Sequence, residues 1–85
     1  MANYSLRYNT FEVFYMYKRI RNLREDNDLK QRELAEILNC SQRIYSNYER
    51  GDVDIPTDIL IKLADYYDVS ADYILGRTDN PKTQH

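Results

Sequence analysis

The amino-acid sequence predicts an all-α fold, in which five short helices form one compact domain. Apolar residues recur at helical spacing in five separate stretches, and four of these stretches are followed by a residue type that ends helices. No stretch of useful length alternates apolar and polar residues with the period of two that a half-buried strand requires. The connections between the stretches are short, which suits a compact helical domain.

The first helix is predicted to begin near Thr10 or Glu12 and to end at Asp26. Its best-defined apolar stripe consists of three residues at helical spacing: Met16, Ile20 and Leu23. Asn27 and Asp28 follow this stripe, and both residue types tolerate the left-handed backbone conformation with which many helices end.

The second and third helices are predicted to form a helix-turn-helix, in which a short turn joins two short helices. The second helix runs from Gln31 to Leu38 and ends at Asn39, which can adopt a positive φ. Ser41 is predicted to cap the third helix, from Gln42 to Glu49, because a serine oxygen can accept a hydrogen bond from a free N–H of the first turn. Gly51 is expected just past the end of that helix.

Two further helices complete the predicted domain. A loop from Asp52 to Pro56 leads to the fourth helix, from Asp58 to Tyr67, which Thr57 is predicted to cap. Ser70 is predicted to cap a short fifth helix, from Ala71 to Leu75, and a glycine ends it.

The chain is predicted to have three parts. Residues 1–15 form an N-terminal extension that continues the first helix, residues 16–76 form the helix-turn-helix domain, and residues 77–85 form a polar tail that is expected to fray. The beginning of the chain is rich in aromatic residues: Tyr4, Tyr8, Phe11, Phe14, Tyr15 and Tyr17. Three interpretations of them stay open, namely extra helical turns packed on the domain, an oligomer contact, and translation that begins at Met16.

The residue content argues against an enzyme, a metal site, a cofactor or a small-molecule ligand. The single histidine is His85, and the single cysteine, Cys40, is expected to be buried and inert at the turn. One cysteine can form neither an internal disulfide nor a thiolate cluster for zinc, which suits a cytoplasmic protein. The sequence has no calcium-loop spacing and no glycine-rich phosphate loop. It also lacks a signal-peptide pattern and an apolar run near the ~20 residues that span a membrane.

The charge is distributed unevenly along the chain. The net charge is −2, but residues 1–50 carry nine Lys/Arg and seven Asp/Glu, whereas residues 51–85 carry three and seven. The first part therefore has a charge of +2 and the second part a charge of −4. A protein with one side that faces DNA would show this asymmetry, although charged runs usually mark solvated surfaces.

The packing of a helix-turn-helix indicates which face of the third helix is exposed. Ala35 provides the small side chain at the helix crossing. The inward positions are predicted to be Leu34, Leu38, Cys40, Tyr45 and Tyr48. If the two tyrosines point inward, four polar residues lie outward or near the N-terminus of the helix: Gln42, Arg43, Ser46 and Asn47.

These polar side chains suit the edges of DNA bases. Gln and Asn can form two hydrogen bonds with adenine, and Arg can do the same with guanine. Recognition helices use mainly their N-terminal residues for this purpose. The alternative is that the third helix is an ordinary amphipathic helix with a polar solvent face.

The stretch from Ile20 to Gly76 resembles the Xre family of helix-turn-helix regulators, which includes phage repressor and Cro proteins. The resemblance lies in IRNLREDNDLKQRELAEILNCSQRIYSNYERG and IPTDILIKLADYYDVSADYILG, about two thirds of the chain. Its most specific parts are LKQRELAEIL, YSNYERG and DVSADYILGRTDNP. The resemblance implies a compact five-helix repressor-like DNA-binding domain, operator binding as a homodimer, and a location in the bacterial nucleoid or in the cytoplasm of a phage-infected bacterium.

The resemblance also implies roles for individual residues. Base reading is implied for Gln42, Arg43 and Asn47, with Ser46 as a further candidate. Contacts to the DNA backbone are implied for Gln31, Ser41 and Arg50, and a helix N-terminus such as that at Gln31 favours an anion on physical grounds. Arg24 and Glu49 match a structural ion pair between the first and third helices.

The chain departs from the family pattern at a few positions. Asp28 and Asn39 stand where the family usually has glycine, but both tolerate a positive φ. Asp52 and Asp54 make the loop after Gly51 acidic, which weakens the expectation that this loop grips phosphate.

The sequence thus predicts a regulator, specifically a repressor that binds a palindromic operator of double-stranded DNA as a homodimer. The alternative is a protein-interaction module, such as an antitoxin or an anti-repressor. The low net charge and the aromatic beginning of the chain motivate this alternative.

Overall fold

The computed structural model describes residues 18–82, which form five helices and no strand. The helices are α1 (Lys18–Asp26), α2 (Gln31–Leu38), α3 (Gln42–Arg50), α4 (Thr57–Tyr67) and α5 (Ala71–Ile74). This arrangement confirms the predicted all-α fold. The predicted start of the first helix, the aromatic extension and His85 lie outside the described residues.

The helices bury one apolar core, to which each of them contributes. Six large side chains are fully buried: Ile20, Leu34, Leu38, Tyr45, Leu63 and Ile74. α2 packs on α3, α1 contacts α3 and α5, and α4 contacts α2 and α5. The helix-turn-helix formed by α2 and α3 therefore packs on α1 and α4, and α5 packs on these two supporting helices.

Residues with left-handed backbone end the helices. Asp28 and Asn39 have φ values of 56° and 57°, and Gly51 and Gly76 have values of 76° and 77°, as the sequence predicts. Asp68, with a φ of 56°, ends α4 in the same way, although this helix end was not predicted. Three of the five positions therefore use Asp or Asn, whose short polar side chains lower the cost of this conformation.

The cap predictions are confirmed for two helices and wrong for one. Ser41 Oγ accepts a hydrogen bond from the Ile44 N–H at 3.1 Å, and Ser70 Oγ accepts one from the Tyr73 N–H at 3.0 Å. Thr57, predicted as a cap, is instead the first residue of α4. The α3 and α5 ends each differ by one residue from the prediction.

Pro56 occupies the cap position of α4, with φ −58° and ψ 149° and no side-chain hydrogen bond. Its carbonyl accepts the Leu60 N–H at 2.9 Å. A proline suits this position, because its φ is fixed near the observed value and it has no N–H that could be left unpaired.

Residues 77–82 are docked on the domain rather than frayed as predicted. The Arg19 guanidinium lies over the Tyr73 ring, 4.2 Å from its centroid, and donates to the Tyr73 carbonyl at 2.9 Å. It also donates to the Thr78 carbonyl and to Asp79 Oδ1, the latter at 2.6 Å. The Ser70 N–H donates to the carbonyl of Pro81 at 2.8 Å.

Candidate nucleic-acid interface

The turn between α2 and α3 holds the two helices in close contact. Ala35 is only 3% exposed, so its small side chain is buried in the core. Its carbonyl accepts the N–H of Cys40 at 2.9 Å, immediately after the left-handed Asn39. The Cys40 side chain is half-buried against the core, not fully buried as predicted, and burial raises the pKa of its thiol.

Two tyrosines anchor α3 on the core. Tyr45 is fully buried and Tyr48 is 7% exposed. The predicted base-reading residues lie on the other side of this helix: Gln42 and Arg43 are exposed, and Ser46 and Asn47 are half-buried. Their polar groups are therefore at the surface of the domain. Burial of the two tyrosines fixes the direction in which this surface faces.

The predicted backbone-contacting residues lie at the ends of the two helices of the helix-turn-helix. Gln31 begins α2, Ser41 precedes α3, and Arg50 is the last residue of α3. Ser41 uses its Oγ lone pair for the helix cap, which leaves its hydroxyl proton available as a donor. Arg50 is exposed, whereas Gln31 is half-buried.

A buried carboxylate joins three helices directly behind this surface. The Arg24 guanidinium donates to both oxygens of Glu49, from Nε at 2.6 Å and from Nη2 at 3.1 Å. Tyr45 donates its hydroxyl to Glu49 Oε2 at 2.6 Å, and Gln31 donates from Nε2 to Oε1 at 3.1 Å. The Glu49 side chain is 3% exposed and that of Arg24 is 13% exposed. The pair implied by the resemblance is thus part of a larger network.

Hydrogen bonds control the charge of Glu49. Burial by itself would raise the pKa of its carboxyl group, but the hydrogen bonds from Arg24, Tyr45 and Gln31 outweigh burial and lower the pKa. The pKa of Arg24 is raised, chiefly by its hydrogen bond to Glu49. Burial, followed by the bond to Glu49, raises the pKa of the Tyr45 hydroxyl. The network therefore consists of an anion, a cation and neutral donors, so both buried charges are paired and hydrogen-bonded.

The contact between Gln31 and Glu49 was not predicted. Gln31 was predicted to contact a DNA phosphate, and its spacing to Glu49 gives no local signal of a contact. An amide nitrogen carries two N–H groups, of which the bond to Glu49 uses one. Gln31 can therefore hold the network with one N–H and offer the other to an external acceptor.

An open groove of about 670 Å³ runs beside the candidate surface, between α1 and α3. Lys18 and Arg21 line it from α1, Gln31 lines it from α2, and Ser46 and Arg50 line it from α3. The groove thus connects Gln31 and Arg50, which are predicted to contact the DNA backbone, with basic residues of α1 for which no interface role was predicted.

The exposed Arg50 side chain is held by its neighbours. Its Nη2 donates to Asn47 Oδ1 at 2.6 Å, and its Nε donates to Asp52 Oδ2 at 2.9 Å. A predicted backbone contact and a predicted base reader are thus hydrogen-bonded to each other. The acidic character of the loop is evident from the sequence, but this bridge is not.

Two kinds of feature are absent from residues 18–82. No helix there is long and apolar enough to cross a membrane. No group of three or more His, Cys, Asp or Glu side chains in this part of the chain is arranged to hold a metal ion.

Comparison with known proteins gives consistent similarities. The sequence model of the helix-turn-helix family matches residues 20–74. The chain is 44% identical over 64 residues to an uncharacterized HTH-type transcriptional regulator, YobD, of Bacillus subtilis strain 168. It is 43% identical over 65 residues to the HTH-type transcriptional regulator ImmR of the same organism.

The matched region covers about three quarters of this chain but a smaller share of these relatives. It spans 75% of the chain and 57% of YobD, and 76% of the chain and 51% of ImmR. Among solved structures, the clp gene regulator ClgR from C. glutamicum is similar with a TM-score of 0.64 and 25% identity. That similarity covers 74% of this chain and 82% of the ClgR chain.

Proposed function

We propose that this chain, which belongs to the helix-turn-helix family of transcriptional regulators, binds double-stranded DNA and recognises its sequence. The observation that carries the proposal is the orientation of α3. Tyr45 and Tyr48 anchor one side of this short helix in the core, and the polar groups on its other side remain at the surface. An anchored helix with exposed amide and guanidinium groups can enter the major groove without rearrangement.

Base reading is assigned to the polar face of α3. Arg43 can donate two hydrogen bonds to guanine, and Gln42 can pair with adenine through its amide. Both side chains are exposed near the N-terminus of the helix, from which recognition helices make most base contacts. Ser46 and Asn47 follow one turn later and extend the same surface.

Backbone contacts are assigned to Gln31, Ser41 and Arg50. Gln31 has a second N–H available and lies at a helix N-terminus, where the helix dipole favours a phosphate. Ser41 offers a hydroxyl proton at the N-terminus of α3. Such contacts fix the position of a protein on DNA, whereas base contacts select the sequence.

The regulator is further proposed to be a repressor that binds a palindromic operator as a homodimer. The motivation is the family resemblance, because helix-turn-helix dimers place two recognition helices in half-sites about 34 Å apart. Sedimentation with and without an operator duplex measures the number of chains per DNA. A single chain bound to an asymmetric site would contradict the homodimer.

Selection of bound sequences from random duplexes tests DNA recognition. The wild type is expected to enrich one sequence, and Arg43→Ala is expected to reduce the guanine preference at one position by roughly 5- to 150-fold. Lys62→Ala, which removes an exposed charge from α4, is the matched control and should keep the full preference. An unchanged preference in Arg43→Ala would contradict the assignment of Arg43.

A salt titration separates the proposal from a protein-interaction module. DNA affinity is expected to fall steeply as the salt concentration rises, since bound phosphates release counterions. If no duplex is bound at about 50 mM salt, where phosphate contacts are strong, and a protein partner copurifies with the chain, the interaction module is the better account.

A further inference from the structure

The backbone at the end of α3 turns back toward the proposed reading face. Gly51, with a φ of 76°, donates its N–H to the Tyr48 carbonyl at 3.2 Å. Asp52 donates its N–H to the Asn47 carbonyl at 3.0 Å. These two bonds form a Schellman motif, which reverses the chain after a helix. The motif brings the backbone of Asp52 back to Asn47.

Arg50 makes a second connection between the same two residues. It donates from Nε to Asp52 and from Nη2 to Asn47, at 2.9 Å and 2.6 Å. Because the guanidinium is planar and rigid, a carboxylate that holds Nε also restricts the direction of Nη2. Backbone and side chains therefore close a ring through Asn47, Arg50 and Asp52.

This ring determines which atoms of Asn47 are available to a ligand. Its Oδ1 accepts from a cation, whereas its Nδ2 donors make no hydrogen bond within residues 18–82. A pair of hydrogen bonds to adenine requires both the donor and the acceptor of the amide, but guanine presents two acceptors, N7 and O6. The charge of Arg50 also opposes the approach of another N–H group to Oδ1. Asn47 is thus arranged as a hydrogen-bond donor.

We propose that Asp52 is a positioning residue for base recognition, which holds Arg50 against Asn47 and so directs Asn47 to the acceptor atoms of guanine. This role rests on the proposed function, in which α3 enters the major groove. The Arg50 and Asp52 side chains are 60% and 43% exposed, and exposed ion pairs add little to stability. Asp52 therefore acts through the orientation of Arg50. The acidic loop, which weakens attraction to phosphate, gains a role in specificity.

Selection of bound sequences with four proteins tests this role. Asn47→Ala identifies the base pair that Asn47 reads, as the position at which its preference differs from that of the wild type. Asp52→Ala is expected to reduce the preference for guanine over adenine at that pair by about three- to tenfold. Asp65→Ala removes the same charge from an exposed position on α4 and is expected to keep the preference.

The NMR signals of the Asn47 side-chain amide provide a readout that does not need DNA. Asp52→Ala is expected to shift these signals, because Arg50 is no longer held beside Oδ1, and Asp65→Ala is expected to leave them in place. Asp52→Ala and Asp65→Ala should both unfold at the wild-type temperature. A shift of the Asn47 signals in Asp52→Ala alone then reflects the lost contact with Arg50 and not a loss of stability.

The outcomes distinguish this role from the proposed function. If the wild type selects a sequence and Asp52→Ala retains the full guanine preference, the positioning role is overturned while the proposed function stands. Unchanged Asn47 amide signals in Asp52→Ala also overturn it. If the wild type selects no sequence at all, the proposed function fails and the positioning role fails with it.

Discussion

Glu49 is the residue that connects the packing of the domain to its candidate surface. Its carboxylate accepts hydrogen bonds from α1, α2 and α3 while only 3% of its side chain is exposed. A buried charge is tolerated when it is paired and hydrogen-bonded, but removal of one partner leaves the other uncompensated. The position of α3 should therefore depend on Glu49 more than on any exposed charge.

We expect Glu49→Gln to lower the free energy of unfolding by about 3 kcal/mol, because the buried Arg24 cation then lacks a counterion. Denaturation with urea, followed by circular dichroism, measures the change. The control is Glu25→Gln, which breaks an exposed pair with Arg21 at 3.3 Å and should change stability by less than about 1 kcal/mol. Equal losses in the two variants would contradict a special role for the Glu49 network.

The lowered pKa of Glu49 predicts acid sensitivity. A carboxyl group with a lower pKa in the folded state stabilises that state above its unfolded pKa, near 4.5, and loses this contribution as the pH falls through the folded value. We therefore expect the free energy of unfolding to decrease below about pH 5. Glu49→Gln should show a shallower decrease over the same range. Parallel pH profiles of the two proteins would show that other carboxyl groups are responsible.

At the scale of single elements, helix ends were the most predictable feature. Left-handed backbone at Asp28, Asn39 and Gly51 follows from residue chemistry alone, and so do the serine caps. The inward tyrosines of α3 follow from periodicity, because one side of a short helix must be buried. These local signals suffice for the fold and for the surface on which the candidate reading residues lie.

Features that depend on neighbours distant in sequence were not predictable. The contact from Gln31 to Glu49 requires the packing of α2 on α3, which no local pattern specifies. The bridge from Arg50 to Asp52 depends on side-chain rotamers of exposed residues. The cap of α4 was assigned to Thr57 because threonine is a good cap, but Pro56 supplies the fixed backbone angle one residue earlier.

Asn39 offers a test of the turn between α2 and α3. Its φ of 57° is costly for residues with an ordinary side chain, so Asn39→Ala should lower the free energy of unfolding by about 1 kcal/mol. Asn39→Gly should be neutral or slightly stabilising, since glycine adopts this conformation freely. Urea denaturation of both variants measures the difference. A variant with alanine as stable as one with glycine would argue against left-handed backbone at this turn.

At the scale of the whole molecule, the docked segment 77–82 ties the last described residues to the first helix. Arg19 on α1 contacts Tyr73, Thr78 and Asp79, and the Ser70 N–H bonds to Pro81. The segment has little apolar surface of its own, so its attachment depends mainly on this guanidinium and on backbone hydrogen bonds, with an exposed ion pair between Arg77 and Asp72 at 3.9 Å in addition. Arg19 thereby also joins α1 to α5.

Release of this segment should be visible at one backbone amide. Arg19→Met keeps an apolar side chain over Tyr73 but loses all the Arg19 donors, including those to Thr78 and Asp79, at a cost of roughly 1 to 2 kcal/mol. Hydrogen exchange at the Ser70 N–H should then accelerate by about tenfold, because its bond to Pro81 opens more often. Arg21→Met is the matched control, since Arg21 pairs with Glu25 on its own helix. Protection of the Ser70 amide that is equal in both variants would show that Arg19 does not hold the segment.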